Sequence, residues 1–250
     1  MADADKGGFV KVNGINMHYL EWGRPGNPDL LLVHGWTSWA QSWRWLAEQL
    51  QDEYHIIAPD HRGHGESDKP VTGYRLRDFA EDMHQLISAL GLKRPLYAGN
   101  SWGGCIGTVM AADYHQDLSK VLLGDPVYWK MINAFVTNLP NALARKRRSD
   151  DELRKEMREA GRNDQEIEAE IVRTRQFSED AITRLLTDNR DFAFTCEEYL
   201  KRINVPTLII AADPKAEGNS GYILREEADN IERIASPMVR VVRWSGVGHG

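Results

Sequence analysis

Apolar positions follow two rhythms along this chain. Short, nearly unbroken runs at Leu30-Leu31-Leu32-Val33, His55–Ala58, Pro95–Ala98 and Val121-Leu122-Leu123 have the length of strands buried on both faces. Ile15–Trp22 mixes apolar and polar residues instead, as an early antiparallel strand does. Between the runs lie helical periods. The clearest puts Leu76, Phe79, Met83, Leu86 and Leu90 on one face and is closed by Gly91. Strands that alternate with helices define βαβ units and a mostly parallel sheet.

The alternation stops at about Val127 and no strand is predicted before Lys201. Within this gap, Leu143–Gln176 is densely charged, with signs mixed at helical spacing and a basic run Arg145-Lys146-Arg147-Arg148. It reads as one or two solvated helices. The βα rhythm returns with Pro206–Ala211, a helix around Arg225–Ile234, and Met238–Trp244. The expectation is one α/β core, residues 1–126 and 202–250, interrupted after the sixth strand by a helical cap over residues 127–201.

Composition sharpens this picture. With 42% hydrophobic residues in 250, a sizeable core is available. The mean hydropathy of −0.51 is accounted for by the charged insertion. A net charge of −6 argues against a nucleic-acid-binding body. Cys105 and Cys196 fit neither a disulfide framework nor a zinc pattern. No apolar run approaches the ~18 residues of a membrane span, and the opening MADADKGG lacks the layout of a secretory signal. The expected protein is cytoplasmic, a monomer or homodimer, with a small-molecule substrate and neither nucleic-acid nor membrane partners.

The strongest chemical signal is Gly99-Asn100-Ser101-Trp102-Gly103, a G-x-S-x-G sequence between a strand and the helix predicted over Cys105–Tyr114. Glycines let neighbouring chain pass close to a tight strand-to-helix turn. The turn exposes the serine oxygen, and the helix N-terminus stabilises negative charge beside it. Gly246-Val247-Gly248-His249-Gly250 follows the last strand, where His249 can reach back over the sheet edge as a general base for Ser101. His34-Gly35-Trp36 ends the strand Leu30–Val33 and can turn backbone N–H groups toward a pocket. Asp60, His61, His64 and Glu66 are close enough to suggest a metal, but their glycine-rich setting fits a tight loop tied down by its polar side chains better. No metal or organic cofactor is expected.

Together these elements resemble the α/β-hydrolase-fold proteins of the cap-bearing type, which include esterases, lactonases, epoxide hydrolases, haloalkane dehalogenases and carbon–carbon bond hydrolases. The resemblance covers nearly the whole chain and implies a mostly parallel sheet of about eight strands. It assigns an aspartate to the nucleophile position of epoxide hydrolases and dehalogenases, so Ser101 aligns this chain with the ester, lactone, amide and C–C hydrolases. It implies oxyanion donors at the backbone N–H groups of Trp36 and Trp102. It also implies that the Ser and His are completed by an acid lying between them in sequence.

Two strand ends compete for that acid. Most relatives place it after the strand that follows the cap, where Asp213 comes right off the strand, Lys215 takes the usual place, and Glu217 lies a little further on. Others place it where Asp125 stands in Gly124-Asp125-Pro126, and Asp125 is preferred over Asp213 and Glu217. Trp36, Trp39, Trp102, Val127, Tyr128, Trp129 and Met131 cluster near the expected strand ends and suggest an apolar or aromatic substrate. The leading expectation is a serine hydrolase acting on a carboxylic ester or lactone. Asn100 within the elbow keeps cleavage of a dienoate diketone open, and a ligand-binding receptor on the same fold is the third reading. Proteins of this type continue past the catalytic histidine with a helix, so a further ~15–25 residues beyond Gly250 are expected.

Overall fold

The computed structural model describes residues 6–129, 140–216 and 221–249. Eight strands form one sheet in the order β1-β2-β4-β3-β5-β6-β7-β8. They are β1 (Lys6–Val12), β2 (Ile15–Trp22), β3 (Asp29–Val33), β4 (His55–Pro59), β5 (Leu96–Asn100), β6 (Lys120–Gly124), β7 (Thr207–Ala211) and β8 (Val239–Arg243). β1 and β2 run antiparallel to their neighbours, and from β4 to β8 every pairing is parallel. Seven of these strands sit where the hydrophobic runs predict them.

β1 has no counterpart in the sequence reading. It is half-exposed, so it carries no clean apolar run. It exists because Asn13-Gly14, both at positive φ (42° and 80°), closes a two-residue hairpin onto β2. Asn-Gly supplies the left-handed backbone that such a turn demands.

Helices cover the two sheet faces unequally. α1 (Arg44–Leu50) packs on one side over Leu20, Leu30, Leu32, Ile56 and Ala58. On the other side α2 (Leu76–Ala89) and α3 (Trp102–Asp113) close the main core. α2 buries Leu76, Phe79, Met83 and Leu86, the predicted stripe, and stops before Gly91 at φ 65°. α3 is apolar all round and almost wholly buried, as a central helix must be.

Between β6 and β7 the described elements are all helical: residues 140–147, then α4 (Asp150–Glu159), α5 (Asp164–Gln176), α6 (Glu179–Thr187) and α7 (Phe192–Arg202). α4 and α5 make a hairpin with a small core of its own, Leu153, Met157, Ile167 and Ile171. Each opens on a capping box, Ser149 with Glu152 and Asn163 with Glu166, which satisfies first-turn N–H groups. Its outer face is laced by ion pairs such as Arg154–Glu168 and Arg175–Asp150. These are solvated and contribute little individually. α7 behaves differently, since Phe192, Cys196, Tyr199 and Leu200 join the main core. A last helix, α8 (Arg225–Ile234), precedes β8. Among the described residues no helix is long and apolar enough to cross a membrane.

The parallel register aligns the carboxyl ends of β3 to β8 along one edge. Val33 pairs with Gly99, Asn100 with Gly124, Gly124 with Ile210, and Ala211 with Arg243. The loops leaving these ends carry every residue with candidate chemistry. That edge is where open α/β sheets place their ligands.

Candidate active site

Ser101 sits between β5 and α3 with φ 55° and ψ −113°, a conformation that side-chain-bearing residues avoid. Neighbouring backbone holds it there. Its N–H donates to the Gly124 carbonyl at 2.8 Å. A methyl group on Gly103 would lie 2.2 Å from the Val33 carbonyl oxygen, and one on Gly99 would lie 2.4 Å from that of Gly103. Only glycine fits at either position, which is the physical content of the G-x-S-x-G spacing. Trp102 opens α3, at the end of the helix that carries its partial positive charge.

Asp125 follows β6, also in the left-handed region at φ 40°. Its carboxylate is 2% exposed and accepts four N–H groups. Oδ1 takes Ala212 N (3.3 Å) and Ile223 N (3.1 Å), and Oδ2 takes Tyr222 N (2.7 Å) and His249 Nδ1 (2.6 Å). His249 therefore donates from Nδ1, which leaves Nε2 as its acceptor. The Tyr222 ring meets the imidazole edge-on at 4.3 Å between centroids. Asn100 Nδ2 reaches the His249 carbonyl at 3.3 Å and so ties the histidine loop to the elbow.

The competing acid is elsewhere. Asp213 directs its carboxylate to Gly246 N and Lys215 N, both at 2.8 Å, and is not bonded to the imidazole. Asp125 is the aspartate bonded to His249, because β6 is adjacent to β5 and its end stands beside the elbow, while Asp213 is turned along the 244–247 loop. Glu217 and Met131 lie outside the described residues.

The loop after β3 passes against Ser101. A methyl group on Gly35 would lie 3.2 Å from Ser101 Cβ and 3.7 Å from Oγ. Trp36, the next residue, is half-buried against the main core. From the helical segment, Arg173 of α5 donates to the Thr37 carbonyl while pairing with Glu170. Trp102, Val127 and Tyr128 are packed in the core, and the Tyr128 hydroxyl bonds Thr108 at 2.8 Å. Of the aromatic set read as pocket, Trp36, Trp39 and Trp129 retain exposure at the strand ends. Trp39 lines a cavity of about 300 Å³ with His18, Leu20, Asp60, Glu66 and Gln176.

Behind the Gly35 loop lies a layer the sequence reading treated only as loop ties. His34, His61 and His64 are buried, with ring centroids 3.9 Å apart for the first pair and 5.4 Å for His34–His64. His61 N donates to His34 Nε2 (3.1 Å) and His61 Nε2 to the His34 carbonyl (2.9 Å). His34 Nδ1 donates to the Gly35 carbonyl (2.8 Å). With Nε2 accepting, His34 must be a neutral ring. Burial holds His34 well below 6.5, His61 down to about 3 and His64 to about 4. Asp60 is tied by Ala40 N (2.7 Å), Glu66 N (3.1 Å) and His18 Nδ1 (2.7 Å).

Acid sensitivity follows with a definite sign. Below pH ~6.5 the unfolded chain protonates these three histidines and the folded chain does not. The unfolded state then binds more protons, so stability falls as pH falls, by about 1.4 kcal/mol per pH unit per group. His18 and His55 do not oppose this. Burial works against their charged forms, but Asp60 for His18, and Asp29 with Glu21 for His55, raise both above 6.5. They are charged in both states below 6.5, and their stabilisation is lost only as pH rises through their raised values. Urea midpoints should peak near neutrality and drop steeply from pH 6 to 5, by up to about 4 kcal/mol in unfolding free energy. A flat profile over that unit would show that the three rings are not buried neutral.

Comparison with known proteins identifies the family and the fold. The family described as alpha/beta hydrolase fold matches over residues 28–165, more than half of the chain, and the chain belongs to it. Soluble epoxide hydrolase of Corynebacterium sp. (strain C12) is 36% identical over 116 residues, 46% of this chain and 40% of that protein. The chain spans about a third of the length of the curated epoxide hydrolases it matches, 29–40%. Lipase 1 of Psychrobacter immobilis is 27% identical over 268 residues, 99% of this chain and 79% of the lipase. In three dimensions, E-2-(acetamidomethylene)succinate hydrolase superposes with a TM-score of 0.80, over 98% of this chain and 92% of that one, at 22% identity.

Proposed function

We propose that this protein is a serine hydrolase that cleaves a carboxylic ester or lactone of a mainly apolar or aromatic small molecule. The observation that carries the reading is the Asp125–His249 pair at 2.6 Å beside a serine held at φ 55° on the elbow. His249 Nε2 takes the Ser101 proton as Oγ attacks the carbonyl carbon. The imidazolium is stabilised by Asp125, and the backbone N–H groups of Trp36 and Trp102 receive the oxyanion. The proton then passes to the leaving oxygen, which departs to leave an acyl-enzyme. Water deprotonated by His249 attacks that ester, and Ser101 recovers its proton. The helices described from residue 140 to Arg202 act as the cap over this site.

A serine, and not a carboxylate, at the elbow favours carbonyl substrates over epoxides. Asn100, the residue that keeps C–C cleavage open, bonds the His249 carbonyl and has a structural role without invoking that chemistry. The test is pre-steady-state turnover of an aryl ester, an aryl-substituted lactone and a dienoate diketone, with fluorophosphonate labelling in parallel. A burst of about one equivalent of alcohol from the ester and stoichiometric labelling of Ser101 are expected. Turnover confined to the diketone moves the assignment to C–C hydrolysis. Labelling without turnover of any substrate moves it to a receptor.

A further inference from the structure

Asp213 reads from sequence as a rival acid, and the geometry gives it different work. It is half-exposed at the end of β7, between the two segments that flank the Asp125–His249 pair. Toward the histidine loop, its carboxylate accepts Gly246 N–H at 2.8 Å and its own N–H donates to the Val247 carbonyl at 2.7 Å. Toward the other segment, its carbonyl accepts Gly221 N–H at 2.9 Å. The next residue, Tyr222, gives its N–H to Asp125 and its ring edge to His249. One residue thus clamps both sides of the pair.

The clamp matters because of what it holds. Residues 244–247 are exposed, and Gly246 takes φ 74°. A glycine-rich exposed loop has little burial of its own to fix it, yet it carries His249, which is bonded to Asp125 and whose carbonyl is held by Asn100 of the elbow. We propose that Asp213 is a positioning residue that fixes His249 by bracing the 244–247 loop and the Tyr222 turn against each other. It acts as a hydrogen-bond acceptor and not as a charge partner of the imidazole. The proposal rests on the reading of Ser101 and His249 as nucleophile and base.

The consequence is a contrast between two aspartates. Asp213→Ala removes the acceptor and lets the loop move; kcat should fall about 10- to 100-fold with KM unchanged within about twofold. Asp213→Asn keeps an acceptor oxygen for Gly246 N–H and leaves Lys215 N–H to water at this half-exposed position, and should return kcat to within about threefold of wild type. The second readout needs no substrate: the His249 Nδ1 proton, hydrogen-bonded to Asp125, observed by proton NMR at low field. It should be sharp in the unmodified protein and in Asp213→Asn, and broadened by solvent exchange in Asp213→Ala. If no ester or lactone is turned over, the proposed function fails while this proton still decides the brace. A sharp, unchanged proton in folded Asp213→Ala overturns the proposal, as does Asp213→Asn with the full loss of Asp213→Ala. Should Asp213→Ala fail to fold, amide exchange in the unmodified protein decides. Protection of Gly246 N–H supports the brace, and exchange at the free-amide rate overturns it.

Discussion

Ser101→Ala is expected to lower kcat for an activated aryl ester by about 10⁶-fold, with substrate binding unchanged within about threefold. The size follows from what is lost and what is kept. Alanine carries the same Cβ, so the contact with the Gly35 loop, the bond from residue 101 N–H to the Gly124 carbonyl and the strained φ of 55° all persist. The proposed oxyanion donors are backbone groups and would persist as well. The covalent route alone disappears, leaving the residual acceleration that binding and oxyanion stabilisation supply without a nucleophile. Fluorophosphonate incorporation should fall from one equivalent to none, read by intact mass. A variant that keeps more than about a hundredth of the wild-type rate would mean that another group, or water, performs the attack.

That the candidate nucleophile is legible from sequence, and its candidate acid less so, has a physical cause. The elbow is a local structure. Its glycines, serine and flanking strand and helix lie within a few residues, and each is demanded by backbone contact distances. The acid is chosen by tertiary pairing: Asp125 and Asp213 both follow strand ends, and only the adjacency of β5 and β6, together with the three amides of Ala212, Tyr222 and Ile223, separates them. Tyr222 could not be found from spacing at all, since its role comes from a turn that folds back over β6. The fold was legible where apolar runs are unbroken and missed at β1, whose signal was the Asn13-Gly14 turn and not hydrophobicity. Of the aromatic residues near the strand ends, Tyr128 and Trp102 lie buried in the core, and that burial cannot be read from their spacing.

Asp125→Asn is expected to reduce kcat by about 10⁴-fold at nearly constant KM, far more than Asp213→Asn. The carboxylate of Asp125 accepts four N–H groups and donates none. An amide has one oxygen to offer, so its NH₂ must face donors. If the oxygen stays with Ala212 and Ile223, the NH₂ lies against Tyr222 N–H and His249 Nδ1. The imidazole escapes that clash by carrying its proton on Nε2 and accepting at Nδ1. In that tautomer the nitrogen that should take the Ser101 proton already holds one, and the base is lost although every heavy atom stays in place. The remaining donor-to-donor contact with Tyr222 N–H cannot be relieved this way, and costs about 1–3 kcal/mol of stability. The two effects are measured separately, the first by steady-state kinetics on the folded variant and the second by urea unfolding at pH 7. Turnover within tenfold of wild type would remove Asp125 from the catalytic set, and a full loss of activity by Asp213→Asn instead would install its rival.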